Sequence, residues 1–398
     1  MQLIEVKNAK DIESFFAVPF TIYAGDKNWV PNLRQDIEKI FDPATNKIFA
    51  EGGEAIRWIL KNNEGKTIGR VAAFVNPRVV DTTSFKTGGM GFFECINDEK
   101  AAFLLIDACK KWLEERGMEA MDGPVNFGDR NMFWGCMTSN FEEPPVYQMN
   151  YNPAYYVDFF EKYGFGTYFN QYVFWRSLEV SAQPIFHRKY NQLKDDPNFE
   201  FRDINGMELD QVAEDFRTVY NGAWGGHSHF KEISESAAKK LMKSLKPVLD
   251  RDIILFIYYK KEPIAFFVNI PELNQIFKYV NGDLNLVGKL KFLYNKWKNP
   301  PTRMLGLVFG VVKEWQGKGI DAALIVFGEK SIIDKKKYKD MVITWVGDFN
   351  PKMIKIAENL GTTLWRSFKT YRYQFDRSLP FERAPIVGET AEKGQEKA

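Results

Sequence analysis

Cysteine and histidine are scarce, three of each in 398 residues. Cys95, Cys109 and Cys136 sit among apolar neighbours without CxxC spacing. That excludes a disulfide framework and leaves too few soft ligands for a zinc cluster. Long apolar runs are missing as well. No stretch approaches the roughly 20 residues that a membrane helix needs, and the first 16 residues mix Glu5, Lys7, Lys10, Asp11 and Glu13 into a region that a secretory signal keeps apolar. The expectation is a cytoplasmic protein with no metal and no transmembrane segment, with peripheral membrane contact left open. A surplus of charge is missing too. Basic residues number 54 and acidic residues 52, a net charge of +2, so no overall field gathers nucleic acid and none is expected as a partner.

Apolar material is plentiful: 45% of residues are hydrophobic and 15% aromatic. With this length, that predicts more than one domain, each with its own core. The most informative stretch is 308–330. Val308, Phe309, Val311 and Val312 are strand formers. Ala323, Leu324, Phe327 and Gly328 begin a helical stripe. Between them, Gln316, Gly317, Lys318 and Gly319 form a turn whose backbone amides are uncovered. Amides in succession at the positive end of a helix bind an anion such as phosphate without a dedicated side chain, and a Cβ would hold the phosphate away. Two familiar phosphate loops do not fit. Lys318 is followed by Gly319 rather than Ser or Thr, and the three glycines of a dinucleotide fingerprint are lacking.

The order of elements runs twice. In the first half, a strand at 1–6 and helical sequence at 12–32 precede strands at 56–61 and 67–76 around an Asn62-Asn63-Glu64-Gly65 turn. A strand at 91–96 then leads through a cap at Asn97 or Asp98 into a helix ending at Gly117. A strand at 118–122, a helix within 151–165 and a closing strand at 168–178 complete the half. The second half repeats this with strand and helix at 201–221, strands at 253–259 and 264–270, the 308–330 unit, a strand at 341–346, a helix from Asn350 to Gly361 and a strand at 369–375. Asn76-Pro77 is echoed by Asn269-Ile270-Pro271, and Asn152-Pro153 with Gly164 by Asn350-Pro351 with Gly361. Two divergent copies of one α/β domain are expected, at 1–180 and 181–376, with a disordered tail at 377–398.

The Gln316-Gly317-Lys318-Gly319 turn resembles motif A of the GNAT (Gcn5-related N-acetyltransferase) superfamily, in which loop amides hold the pyrophosphate of an acyl-coenzyme A. Gln316 and Gly319 match; Asp321 stands where the family has a small residue. Phe160-Glu161-Lys162-Tyr163-Gly164-Phe165 resembles a second family motif, and Glu358-Asn359-Leu360-Gly361 follows it loosely. The tyrosine that can protonate the leaving thiolate in that family is replaced by Phe160 and Ala357. The resemblance implies two tandem GNAT-like domains, each a mostly antiparallel twisted sheet flanked by helices. It further implies acyl-CoA or acetyl-CoA as co-substrate, held by Val311, Val312, Gln316, Gly317, Lys318, Gly319, Ile320 and Asp321. The first copy carries Asn97-Asp98-Glu99 in place of the glycine loop, and its carboxylates would repel a diphosphate, so the donor is assigned to the second half.

For the acceptor, the Gly- and aromatic-rich segment 220–230 supplies Tyr220, Asn221 and Trp224 as substrate-binding candidates. His227 or His229 is a candidate base there, the alternative being a solvated or packed loop histidine. Glu94, an ionisable residue within an apolar strand, is a further catalytic candidate, the alternative being a side chain turned to water. The implied function is transfer of an acyl group from the CoA thioester to an amine, a small molecule or a lipid amine as in the bacterial ceramide-synthase-like group. Two alternatives stay open: a catalytically inactive acyl-CoA sensor or scaffold, and a tRNA-dependent transferase of the peptidoglycan type. Oligomeric state is not legible.

Overall fold

The computed structural model describes residues 1–81, 84–225, 232–333, 335 and 337–387. In the first half, β1 (Gln2–Glu5), α1 (Ala9–Ile22), α2 (Arg34–Phe41), β2 (Glu54–Lys61), β3 (Thr67–Val75), β4 (Thr87–Cys95), α3 (Glu99–Glu114), β5 (Ala120–Gly123), β6 (Cys136–Met137), α4 (Tyr155–Tyr163) and β7 (Gly166–Ser177) follow in order. The second half has α5 (Pro184–Lys194), β8 (Phe199–Asp203), α6 (Leu209–Trp224), α7 (Glu235–Leu245), β9 (Ile254–Tyr259), β10 (Glu262–Pro271), α8 (Asn274–Phe277) and α9 (Leu286–Lys298). It closes with β11 (Arg303–Val311), α10 (Ile320–Ile333), β12 (Asp340–Gly347), α11 (Pro351–Asn359) and β13 (Thr363–Gln374). This is an α/β molecule with a mixed sheet flanked by helices.

The two copies are fused through their closing strands. The sheet runs β1-β2-β3-β4-β5-β13-β7-β12-β11-β10-β9-β8, with β6 beside β13. Read outward from its centre, the order is the same in both directions. β13, from the end of the chain, pairs with β5 of the first half, Tyr371 opposite Gly123. β7, the last strand of the first half, pairs with β12 of the second, Trp175 opposite Val342. Each half therefore lends its last strand to the other. The cut expected at residue 180 divides the sequence but not the sheet.

Several expected boundaries move. Of the one or two helices expected within 12–32, one forms, α1, which ends at Ile22; α2 begins only at Arg34. The stretch between them turns inward instead, with Tyr23 stacked on Trp29 at 5.0 Å. The tail expected to be disordered from 377 lies against the sheet as far as it is described: the Ala384 amide donates to the Tyr168 carbonyl and the Val387 amide to the Phe349 carbonyl. Residues 388–398 fall outside the described residues. Among the described residues, no helix is long and apolar enough to cross a membrane.

Candidate functional site

The glycine turn lies where β11 passes into α10. A short 3-10 turn over Lys313–Trp315 is fixed by Trp315, which packs on Tyr259 and Phe199. The chain then takes the left-handed conformation twice, at Gly317 (φ 73°) and Gly319 (φ 83°), which is why glycine stands at both places. Nothing lies within 4 Å of where a Cβ on Gly317 would point, whereas one on Gly319 would meet the Lys189 stem of α5 at 2.9 Å. Gln316 turns its amide inward, Nε2 donating to the Val311 carbonyl at 3.0 Å. Lys318 reaches over the Trp315 ring. Ile320 is buried, while Asp321 is exposed on the first turn of α10. Lys335 and Lys337, beyond the far end of α10, are paired with Asp203, Asp252 and Asp250.

Beside this turn the sheet opens. β11 and β12 are parallel and pair only from Arg303–Asp340 to Gly306–Ile343. At Ile343 the ladder of β12 with β7 shifts register, and a bulge of this kind bends a strand away from its neighbour. Thr344 Oγ1 donates to the Gly306 carbonyl at 3.1 Å at the mouth of the gap. Leu307 is 38% exposed although it belongs to an interior strand. The Val312 amide donates to Ile264 in the antiparallel ladder. Since ladder bonding alternates along an antiparallel strand, the amides of Phe309 and Val311 face the gap. Val312, expected among the contacts to the donor, has its amide engaged within the sheet.

α6 covers this end of β11. A Cβ on Gly310 would meet the Trp224 ring at 3.1 Å, and one on Gly222 would meet Val312 at 2.8 Å. Tyr220 stacks between Phe216 and Trp224. Asn221 is tied to Ile233: its Oδ1 accepts from the Ile233 amide at 2.9 Å and its Nδ2 donates to the Ile233 carbonyl at 3.1 Å. The segment so tied carries His227 and His229, which lie outside the described residues. The first half reaches into the same place. Trp345 Nε1, on β12, donates to the Arg130 carbonyl at 3.2 Å, and burial, then the Asp129 carboxylate, push the Tyr220 phenol up. The sequence carried no sign of this approach of the two halves.

In the first half, the equivalent helix start is closed. Asp98 caps α3 by accepting from the Ala101 amide, and the β4–β5 gap is sealed where the Val125 amide bonds the Met90 carbonyl. A Cβ on Gly91 would lie 1.9 Å from the Val125 carbonyl oxygen. Glu94 does not turn to water, the alternative left open from sequence; it is 9% exposed. Its Oε1 is 3.6 Å from the Arg70 guanidinium, and its Oε2 accepts from Tyr23 at 2.8 Å and Tyr156 at 2.9 Å. Burial pushes the Glu94 carboxyl up, and Arg70 opposes the shift. Arg70 in turn is buried, donates to the Phe15 carbonyl and has an unpartnered Nε. Both side chains line a cavity of about 370 Å³ walled by Phe16, Phe20, Trp29 and Met149 and by Asn281–Asp283 from the second half. Phe160 and Ala357, where a thiolate-protonating tyrosine would stand, are core residues.

No protein-family model matches the chain. It is 25% identical over 389 residues to a protein of Caulobacter vibrioides (strain NA1000 / CB15N) named bacterial ceramide synthase, covering 93% of this chain and 97% of that one. It is 23% identical over 375 residues to the protein YghO of Escherichia coli (strain K12), covering 92% and 94%. Among solved structures, a tandem GNAT protein from the clavulanic acid biosynthesis pathway superposes with a TM-score of 0.52 at 8% identity, over 96% of this chain and 99% of that one. A GCN5-related glucosamine N-acetyltransferase region of a fungal multi-domain β-N-acetylglucosaminidase superposes with a TM-score of 0.54 at 14% identity. That match covers 94% of this chain and 38% of the fungal protein. The chain has a tandem GNAT-like fold.

Proposed function

We propose that the protein is an acyl-CoA-dependent N-acyltransferase whose donor binds in the second half and whose acceptor is an amine, a lipid amine being the preferred class. The observation that carries this reading is the glycine turn at the head of α10, set beside an open gap between β11 and β12. Amides around Gly317 and Gly319 would take the diphosphate, with the α10 dipole and the cations Lys318 and Lys189 adding to the attraction. The pantetheine arm would lie along the gap, where the amides of Phe309 and Val311 supply donors to the thioester oxygen as it gains charge. The amine nitrogen attacks the thioester carbonyl, the C–S bond breaks as the amide C–N bond forms, and the amine loses a proton to a base. With Phe160 and Ala357 offering no phenol, the departing thiolate takes its proton from solvent. His227 and His229 are the candidate bases at this gap; Glu94, on β4 and five strand positions from β11 in the sheet, is the candidate only for a reaction centre at the cavity it lines. The lipid character of the acceptor is supported by the name of the Caulobacter relative and by the aromatic wall of the cavity that Glu94 lines, where Phe16, Phe20 and Trp29 stand beside Glu13, Arg34 and Arg70.

Titration calorimetry with coenzyme A, acetyl-CoA and palmitoyl-CoA tests the donor site. Gly317→Asp and Gly317→Ala both carry the cost of a positive φ, so the difference between them isolates the charge: the Asp side chain meets no neighbour yet sets a carboxylate against the diphosphate. Binding to the wild type that Gly317→Asp weakens by at least about tenfold, with Gly317→Ala retaining more, supports the cradle. Equal binding by a folded Gly317→Asp overturns it.

A further inference from the structure

The helix α9 carries its apolar residues on the wrong side for a core. Its buried face is Gly288, Phe292 and Asn295, with Phe292 against Phe277. The opposite face is an apolar ridge in solvent: Leu286 is 75% exposed, Leu290 60%, Leu293 61% and Trp297 78%. The spacing i, i+4, i+7, i+11 sets these four in one line along the helix. Val287 and Tyr294 stand beside them, also exposed. At 100° per residue, Lys289 and Lys296 fall on one flank of the ridge and Lys291 and Lys298 on the other. The segment Leu286–Lys298 holds four lysines and no acidic residue.

We propose that α9 docks the protein on the surface of an anionic lipid bilayer. A helix lying in the interface needs an apolar ridge long enough to enter the acyl region, an aromatic at headgroup depth and cations able to snorkel from both flanks. α9 meets each condition, and the rest of the molecule holds it in place through its opposite face. The charge pattern favours lipid over a second copy of the chain. Two such ridges packed about a two-fold axis would bring lysine rows together with no acidic residue on the helix to relieve them, whereas an anionic surface complements all four. Position adds a second argument. Asn281, Gly282 and Asp283 form a wall of the cavity that holds Glu94, and α9 begins three residues later. Phe20, another residue of that wall, is 43% exposed. Docking by α9 therefore brings the mouth of the cavity to the interface.

The test is co-sedimentation of the full chain with vesicles, either pure phosphatidylcholine or equal parts phosphatidylcholine and phosphatidylglycerol. The wild type should partition onto the anionic vesicles at least about tenfold more strongly than onto the neutral ones and should detach as salt is raised. L290E/W297E should lose at least about tenfold in partition, and K289E/K298E should lose the preference for anionic lipid. The substituted side chains are exposed, so circular dichroism and thermal midpoint should be unchanged. Equal sedimentation of wild type and L290E/W297E, or none for the wild type, overturns the proposal. A concentration-dependent dimer in velocity sedimentation that L290E abolishes, without vesicle binding, overturns it in favour of a self-contact. Vesicle binding is read without substrate, so this inference and the transferase reading fail separately.

Discussion

The Tyr23 hydroxyl lies 2.8 Å from both Glu94 Oε2 and the Tyr151 carbonyl oxygen. A phenol has one proton and cannot donate to both acceptors. If Glu94 is ionised, one of these contacts sets two lone pairs against each other. If Glu94 is protonated, it donates to Tyr23, Tyr23 donates to Tyr151, and every oxygen is satisfied. Burial, which shifts the Glu94 carboxyl upward, favours the protonated arrangement, and the Arg70 guanidinium beside it favours the ionised one.

This makes a catalytic role for Glu94 testable through pH. A base works only when deprotonated, so with its carboxyl shifted up, the acidic limb of kcat/KM should lie above the usual carboxylate range. Glu94→Gln should lower kcat/KM by about a hundredfold or more and remove that limb, while Tyr23→Phe should move the limb without abolishing turnover. A Glu94→Gln enzyme with the wild-type rate and profile would return the residue to a structural pairing with Arg70.

Glu272 gives a separate pH prediction, for stability. It is buried where the halves meet, its Oε1 accepting from the Tyr147 amide at 2.8 Å and the Asn274 amide at 3.2 Å. Burial outweighs these bonds and pushes the carboxyl up to about 7 from an ordinary 4.5. A carboxyl that binds its proton more tightly when folded stabilises most below its unfolded value and loses that contribution as pH rises through the folded one. Stability should therefore fall by about 3 kcal/mol between pH 4.5 and 7 from this residue. Urea midpoints across that window should flatten in Glu272→Gln. A slope that survives the substitution would assign the effect to other groups.

The exchanged closing strands predict how the chain unfolds. β5 finds its neighbour in β13, and β12 finds its neighbour in β7, so neither half has a complete sheet alone. Calorimetry of the full chain should give one transition, with van't Hoff and calorimetric enthalpies in agreement. A fragment of residues 1–180 should expose both edges of β7 and aggregate. Two separable transitions, or a soluble folded fragment, would show that the halves are independent.

What was legible in the sequence was local. The strand-turn-helix at 308–330, the doubled order of elements and the missing glycine loop of the first half all follow from residues adjacent in the chain. The exchange of β7 and β13 was not legible, because alternation along a strand marks its buried face without naming its neighbour. Glu94 stands out in the sequence as an ionisable residue in an apolar strand, but its neighbours in the chain do not name its partner. Arg70, within the apolar run Thr67–Val75, was the signal available, since a buried cation calls for a buried anion. The approach of Arg130 to Trp345 and of Asp129 to Tyr220 joins residues more than ninety positions apart, and spacing says nothing at that range. The exposed ridge of α9 is not legible in the sequence, because periodicity gives a stripe without saying whether it faces a core or the solvent.

Asn221 supplies the final prediction. It was expected to contact substrate, but both ends of its side-chain amide are engaged with Ile233, closing the segment that contains His227 and His229. Asn221→Ala would leave a backbone amide and carbonyl without these partners, lowering stability by about 1–3 kcal/mol. If a histidine in that segment accepts the amine proton, the same change should raise the acceptor KM and lower kcat while donor affinity holds. His229→Ala should then lower kcat by about a hundredfold, and adding Asn221→Ala should have less than its full effect, because both act on one element. Independent, multiplicative effects would show that the tie to Ile233 does not position the histidine, and an unchanged kcat in His229→Ala would remove it as the base.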